Sequence, residues 1–366
     1  MKQTHGRVVH VESLADFDRR MAAGATSLSG WRVRAVDLSG RSDLLARCRV
    51  AGAAFLGCTL APGDAERLLG AGALVLPVAP DAPLDTARTA LYTAAELYGE
   101  SAYESSLDAR AYAWSQEPST PETALAQALH DHAVDQALGS WVAGRRLVGV
   151  MGGHALARGS AEYAAAAALG HALGGSWTVA TGGGPGAMEA ANLGARLARR
   201  PADELAAALA ELARVPSYRP SIGAWAGTAL EVCAAHADPV ETLGIPTWHY
   251  GHEPPNVFAT AIAKYFRNAT REAVLLEVCD AGIVFLPGAA GTVQEVFQDA
   301  CENYYADESS VAPMVLVGRS HWTETFPVWP LLESLARGRH MAPHVHLVDT
   351  VAEAAALVSA ASPPQG

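Results

Sequence analysis

The chain has 366 residues, half of them apolar and 17% charged, with a formal net charge of −12. That balance suits one large domain or two ordinary ones around a sizeable core, and it excludes a largely disordered chain. No Lys/Arg cluster exceeds pairs such as Arg145–Arg146 and Arg199–Arg200, so the basic stripe of a nucleic-acid binder is missing. An anionic small molecule stays open, because backbone N–H groups can hold phosphate without net positive charge.

Five cysteines, Cys48, Cys58, Cys233, Cys279 and Cys301, include no C-x-x-C pair. The odd count and the spacing argue against a disulfide framework or a zinc site and fit a reducing cytoplasm. The start "MKQTHGRVVHVESLADFDRR" lacks the apolar core of a signal peptide. No run of about 18 apolar residues suggests a membrane span. Lysine is nearly absent: only Lys2 and Lys264 occur.

In chain order, residues 1–118 show short strand-like runs, "WRVRAVDLSG", "VAGAAFLGC" and "GALVLPV". They suggest a smaller accessory α/β region, without a chemical motif. Residues 119–144 read as a helical bridge. From 145 to 361 apolar runs alternate with helical stretches. "LVGVMGG" (147–153) reads as strand and turn, and "SAEYAAAAALGHALG" as helix. "WTVATGGGPG" (177–186) reads as strand and Gly-rich turn, and "AMEAANLGARLARR" as helix. Residues 201–244 break the rhythm and read as an insertion, either a lid or a surface helical excursion. "IPTWHY" (245–250) is a possible strand, and 256–278 reads as one long helix. "AGIVFLPG", a helix after Gly291, "APMVLVG", "VWPLLESLARG", "HVHLVD" and a last helix over 350–361 follow. This alternation predicts a Rossmann-like, doubly wound parallel sheet covered by helices on both faces, with ligands at the C-terminal strand ends.

Two turns carry the chemistry. In "TGGGPGAMEAAN" (181–192), three successive glycines permit positive φ and close backbone approach, and Pro185 suits the start of a helix. It is not the spaced G-x-G-x-x-G fingerprint of dinucleotide binding. In "LPGAAGTVQEVFQ", Gly288 and Gly291 free the backbone, Thr292 offers a hydroxyl and an N–H, and Glu295 lies about one turn into the helix. Glu295 is either a residue favouring the helix dipole or a catalytic carboxylate beside a bound sugar phosphate.

Together these motifs resemble those of the LOG ("lonely guy") family, phosphoribohydrolases often mislabelled as lysine decarboxylases. That family's second motif is usually written P-G-G-x-G-T-x-x-E. The "GPGAMEA" run and the added N-terminal region resemble its larger bacterial nucleoside 5′-monophosphate nucleosidases. The resemblance covers about residues 147–350. It implies a catalytic pair, Glu295 and Arg271, with Arg267 as runner-up for the arginine. It also implies a substrate-binding set: Gly152, Gly153, Thr181, Gly182, Gly183, Gly184, Met188, Glu189, Gly288, Gly291 and Thr292. Ala289 departs from the pattern where a second glycine is expected, and a methyl there is tolerable only at negative φ. The turn "MGGHA" also differs from that of the shorter family members, so His154 acquires no role.

The implied reaction is hydrolysis of the N-glycosidic bond of a nucleoside 5′-monophosphate, with no metal and no cofactor. Its chemistry is consistent from first principles. Positive charge develops on the ribose, and a carboxylate can stabilise it and position or deprotonate the water. An arginine can hold phosphate or fix the carboxylate, and phosphate anchoring aligns the substrate. The resemblance also implies a homodimer or dimer-based assembly; the charge distribution and hydropathy predict neither nucleic acid nor membrane as partner.

"TWHYGHEPPNVFA" concentrates Trp248, His249, Tyr250, His252, Glu253 and Asn256. It is either a base pocket or a Pro-fixed loop over the sheet. His249 and His252 lack a third metal ligand. Arg319 and His321 read as surface, and Met188 as core or pocket wall. The competing function is a nucleotide sensor of the same fold that cleaves nothing. Amino-acid decarboxylation would need a Schiff-base lysine, and only Lys264, read as mid-helix, is present in the main domain.

Overall fold

A computed structural model describes residues 8–76, 82–99, 102–249 and 253–361. The chain divides into two compact units, one of residues 1–90 with 116–138, the other of residues 91–115 with 139–366.

The first unit is a ladder. Strands β1 (Val9–Val11), β2 (Trp31–Arg34), β3 (Ala54–Leu56) and β4 (Leu74–Leu76) lie in chain order, all parallel. Helices α1 (Leu14–Ala22), α2 (Ser42–Arg47) and α3 (Asp64–Gly70) connect them. Val9 pairs with Trp31, Arg32 with Ala54 and Ala54 with Leu74, steps of 22, 22 and 20 residues. Each strand–helix turn therefore stacks on the last, as in a solenoid. Val11, Val33 and Phe55 on one sheet face pack with Phe17, Leu45 and Leu68 of the helices into a core. The three short strands expected in this region are β2, β3 and β4.

The second unit begins with α4 (Ala94–Tyr98) and α5 (Leu107–Ser115); α6 (Pro121–Val142) carries the chain from one unit to the other. Then follow β5 (Leu147–Met151), α7 (Ala161–Leu173), β6 (Thr178–Thr181), α8 (Ala187–Arg196), α9 (Ala202–Leu212), α10 (Ile222–Ala235), β7 (Thr242–Gly244) and β8 (Ala261–Ile262). The last elements are α11 (Asn268–Glu277), β9 (Ile283–Phe285), α12 (Ala290–Tyr305), β10 (Met314–Val317), α13 (Trp329–Ala336), β11 (Val345–Val348) and α14 (Val351–Ala361). Seven parallel strands order β11-β10-β9-β5-β6-β7-β8. Strands β5, β7, β9 and β10 are buried at every residue. That is why β5, β9 and β10 read as unbroken apolar runs in the sequence, whereas the three residues of β7, Thr-Leu-Gly, do not. This is a Rossmann-like α/β fold.

Two readings change. The strand expected at "IPTWHY" lies earlier, at Thr242–Gly244, and Tyr250 falls outside the described residues. The helix expected over 256–278 starts only at Asn268. Before it, Asn256 Oδ1 accepts the N–H groups of Phe258 and Ala259, both at 3.1 Å. Tyr92 then exchanges backbone hydrogen bonds with Ile262 in an antiparallel bridge. These bonds use backbone groups that a helix would need. Among the described residues, no helix is long and apolar enough to cross a membrane.

Candidate active site at the switch point of the sheet

The chain moves from β5 to β6, β7 and β8 on one side, then returns to β9, β10 and β11 on the other. The reversal falls between β5 and β9. In open α/β sheets the ligand crevice lies beyond the strand ends at such a reversal. Both sequence motifs, and the turn after β5, are at this end of the sheet.

The β5 and β9 turns are laced together. Leu286 N–H donates to Met151 O at 2.8 Å, and Gly153 N–H donates to Pro287 O at 3.2 Å. Gly152 is buried beside Ala187 and Leu286. Gly153 thus spends its N–H on the fold rather than offering it to a ligand.

The β6 turn is framed by side chains. Thr181 is fully buried; its hydroxyl accepts from Gly183 N–H at 3.0 Å and donates to Asn192 Oδ1 at 2.7 Å. Asn256 N–H donates to Gly183 O at 2.8 Å, and its Nδ2 donates to Asn192 Oδ1 at 3.0 Å and Gly184 O at 3.3 Å. Gly186 caps α8 with φ +71°, and a Cβ there would lie 2.6 Å from Gly153 O. Only glycine fits. Glu189 turns away from the crevice into a buried ion pair with Arg158, whose Nε donates to it at 3.1 Å. Burial pushes the Glu189 carboxyl up, while the charge and hydrogen bonds of Arg158 pull it down.

The β9 turn leads into α12. Ala289 sits at the N-cap with φ −111°, which any L-residue adopts, so the missing glycine imposes no strain. No side chain caps α12, whereas Ser13, Thr93, Ser160 and Ser221 cap their helices. Its first N–H groups, on Ala290, Gly291 and Thr292, therefore lack a capping side-chain oxygen, a setting that favours an anion. Thr292 is buried and packs on Gly288; a Cβ on Gly288 would overlap its hydroxyl at 2.1 Å. Gly291 is exposed in the first turn.

Glu295 stands in the second turn of α12, where it makes an ion pair rather than a cap. Arg271 Nη1 lies 3.7 Å from Glu295 Oε1, with 11% and 15% of the two side chains exposed. Burial drives the Glu295 carboxyl up to about 7; Arg271 opposes that rise and Glu272 adds to it. Glu272 is held by Asn268 Nδ2 at 2.6 Å and Gln294 Nε2 at 2.7 Å. Arg271 Nε is buried without a hydrogen-bond partner. The same guanidinium approaches the β6 turn: a Cβ on Gly182 would lie 3.6 Å from Nη1. Arg271 therefore joins the two motifs. Arg267, one turn earlier, is exposed.

A cleft beside Arg271 is lined by Gly182, Gly184, Met188, Pro246, Thr247 and Glu253. Of the residues in 247–259, Thr247 and Glu253 face it. His249 is exposed, and Tyr250 and His252 lie outside the described residues. Trp248 is buried: its Nε1 donates to Asp108 Oδ1 at 2.9 Å and its ring stacks on Phe266 at 4.5 Å. Asn256 is likewise a buried strut. Lys264 is 1% exposed, and its Nζ donates to Asp108 Oδ1 at 2.6 Å. Asp108 Oδ2 also accepts from Tyr103 Oη at 2.6 Å. A lysine committed to that network has no free amine with which to form a Schiff base.

Two residues escaped the sequence reading. Asn192, the last residue of "TGGGPGAMEAAN", is in no candidate set above, yet it ties the β6 turn to Asn256. His321, read as surface, places Nε2 3.0 Å from Gly288 O and 3.3 Å from Gly288 N. Its signal was only its position just after β10, next to the reversal. His154 Nε2 is 3.7 Å from Glu253 Oε1. No group of three potential metal ligands occurs among the described residues.

No protein-family model matches the chain, and no curated protein matches it. Among solved structures, it is similar to the molybdenum cofactor binding protein from the phototrophic bacterium Rippkaea orientalis. That match has 16% identity, covers 59% of this chain and 96% of that one, and has a TM-score of 0.36. It is also similar to the molybdenum cofactor carrier protein MCP from Chlamydomonas reinhardtii. There the identity is 18%, the coverage 59% and 97%, and the TM-score 0.38.

Proposed function

We propose that the chain hydrolyses the N-glycosidic bond of a nucleoside 5′-monophosphate, releasing the base and ribose 5-phosphate, as the resemblance to the LOG family implies. The observation that carries this reading is the Arg271–Glu295 pair at the switch point, one turn from the uncapped start of α12. The N–H groups of Ala290, Gly291 and Thr292 hold the 5′-phosphate. Glu295 then faces the ribose. As C1′–N breaks and positive charge grows on the ring, the ionised carboxylate stabilises it and takes a proton from the attacking water. The water oxygen bonds to C1′, and the electron pair of the broken bond leaves with the base, which picks up a proton. A carboxyl held near 7 suits both accepting and returning a proton at neutral pH. Arg271 keeps Glu295 oriented and lowers its pKa toward the working range. No step in this scheme calls on a metal.

The test is to incubate the protein with the common nucleoside monophosphates and to look for free base by chromatography. Release of base from at least one of them supports the reading. Tight nucleotide binding without release favours the sensor reading instead.

A further inference from the structure

The sheet of the first unit has two unlike faces. One packs its apolar residues on the helices. The other carries His10, Arg32, Ala54 and Leu74 in one row, because these residues pair directly across the strands. Two residues further along the same face, Arg34, Leu56 and Leu76 form a second row. Both arginines of these rows come from β2, with His10 beside Arg32 on β1 and apolar residues on β3 and β4; Arg34, Ala54 and Leu56 are buried, and Glu12 follows β1.

Arg34 is the unexplained member. It is 2% exposed, and its Nε is sealed from solvent with no hydrogen-bond partner. No carboxylate pairs with it at ion-pair distance among the described residues. Its charge is held down by burial and supported only by the field of Glu12. A guanidinium left this way is costly unless something completes it. His132, in the 116–138 segment of the same unit, adds positive character when protonated. Burial, then Arg34, Arg32 and His10 push its pKa down, while Asp135 pulls it up. Among the described residues, Arg32 donates only to its neighbour's carbonyl, Trp31 O, at 3.5 Å.

We propose that this face of the first unit is a second anion site, binding a small phosphate-class oxyanion on the fork of Arg34 with Arg32, His10 and His132 around it. The planar guanidinium matches two oxygens of such an anion, which a point charge would not. Because Arg34 is 2% exposed, the anion reaches the orphaned Nε–H only when the groups covering it part. This site is separate from the switch-point crevice and does not depend on the reaction assigned there.

The test uses the full chain with histidine-selective labelling and inorganic phosphate as the probe. The His10 and His132 ring signals, assigned by His→Asn variants, should shift saturably with phosphate and not with chloride at equal ionic strength. Arg34→Gln should weaken that response at least tenfold, and Arg32→Gln several-fold. Both reporting histidines belong to the first unit and the crevice to the second, and weakening of the response by Arg34→Gln assigns it to this face. Absence of a saturable shift, or an unchanged curve in Arg34→Gln, overturns the proposal. If Arg34→Gln does not fold by circular dichroism, Arg32→Gln decides: an unweakened response overturns it.

Discussion

Arg271 Nη1 lies 3.7 Å from Glu295 Oε1, and the pair bridges two strand–turn–helix units that are far apart in sequence. Glu295 comes from the helix after β9. Arg271 comes from the helix before it and leans toward Gly182 after β6. An ion pair at this end of the sheet is costly to bury, so its presence there asks for a reason beyond stability.

The first consequence is a pH signature in stability. Burial raises the folded pKa of Glu295 from 4.5 to about 7. The unfolded chain then gives up this proton first, so the native state loses stability as pH climbs from about 4.5 to about 7. Glu295→Gln removes that loss. Its stability difference between pH 5 and pH 8 should be smaller than the parent's by up to ~3 kcal/mol. Denaturant unfolding at the two pH values measures it; identical pH dependence in both proteins would contradict the shift.

A second expectation concerns the frame rather than the chemistry. Asn256 is fully buried and serves Gly184, Asn192, Phe258 and Ala259 at once. Asn256→Ala leaves several of these groups unpaired and should cost roughly 2–4 kcal/mol. Urea unfolding checks it. A loss below about 0.5 kcal/mol would mean that the β6 turn does not need this strut.

Strands β5, β6, β9 and β10 and both glycine-rich turns were legible because buried parallel strands are continuous apolar runs and the turns punctuate them, whereas the short β7 and β8 were not. The Glu295–Arg271 pairing was legible only through the resemblance, since no local spacing links residues on two different helices. Residues 256–267 misled for a local reason. Their apolar spacing is helical, but the Asn256 side chain and the Tyr92 bridge claim the backbone. The four-strand ladder of the first unit was hidden because its strands are three or four residues long and its steps, 22, 22 and 20 residues, are unequal.

Arg271→Ala should lower turnover roughly a hundredfold, because it disorients the carboxylate and leaves it unpaired. The Arg271→Ala/Glu295→Gln double variant should be little worse than either single change if the two act as a unit. Steady-state kinetics on the three proteins decides this. Fully additive losses would assign the residues separate roles.

If the uncapped start of α12 holds the 5′-phosphate, as proposed, that phosphate is a required handle. Adenosine should be a far poorer substrate than adenosine monophosphate, by several hundredfold or more, since remote binding energy aligns the ribose. Base release from the two at equal concentration measures it, and comparable rates would remove the phosphate from the scheme.

The central claim is that the Glu295 carboxylate does chemistry, and turnover of Glu295→Gln tests it most directly. Nucleotide affinity should be kept within a few-fold of the parent, and base release should fall roughly a hundredfold or more. Near-normal base release from the best nucleotide, by a variant that binds it as the parent does, would contradict the account.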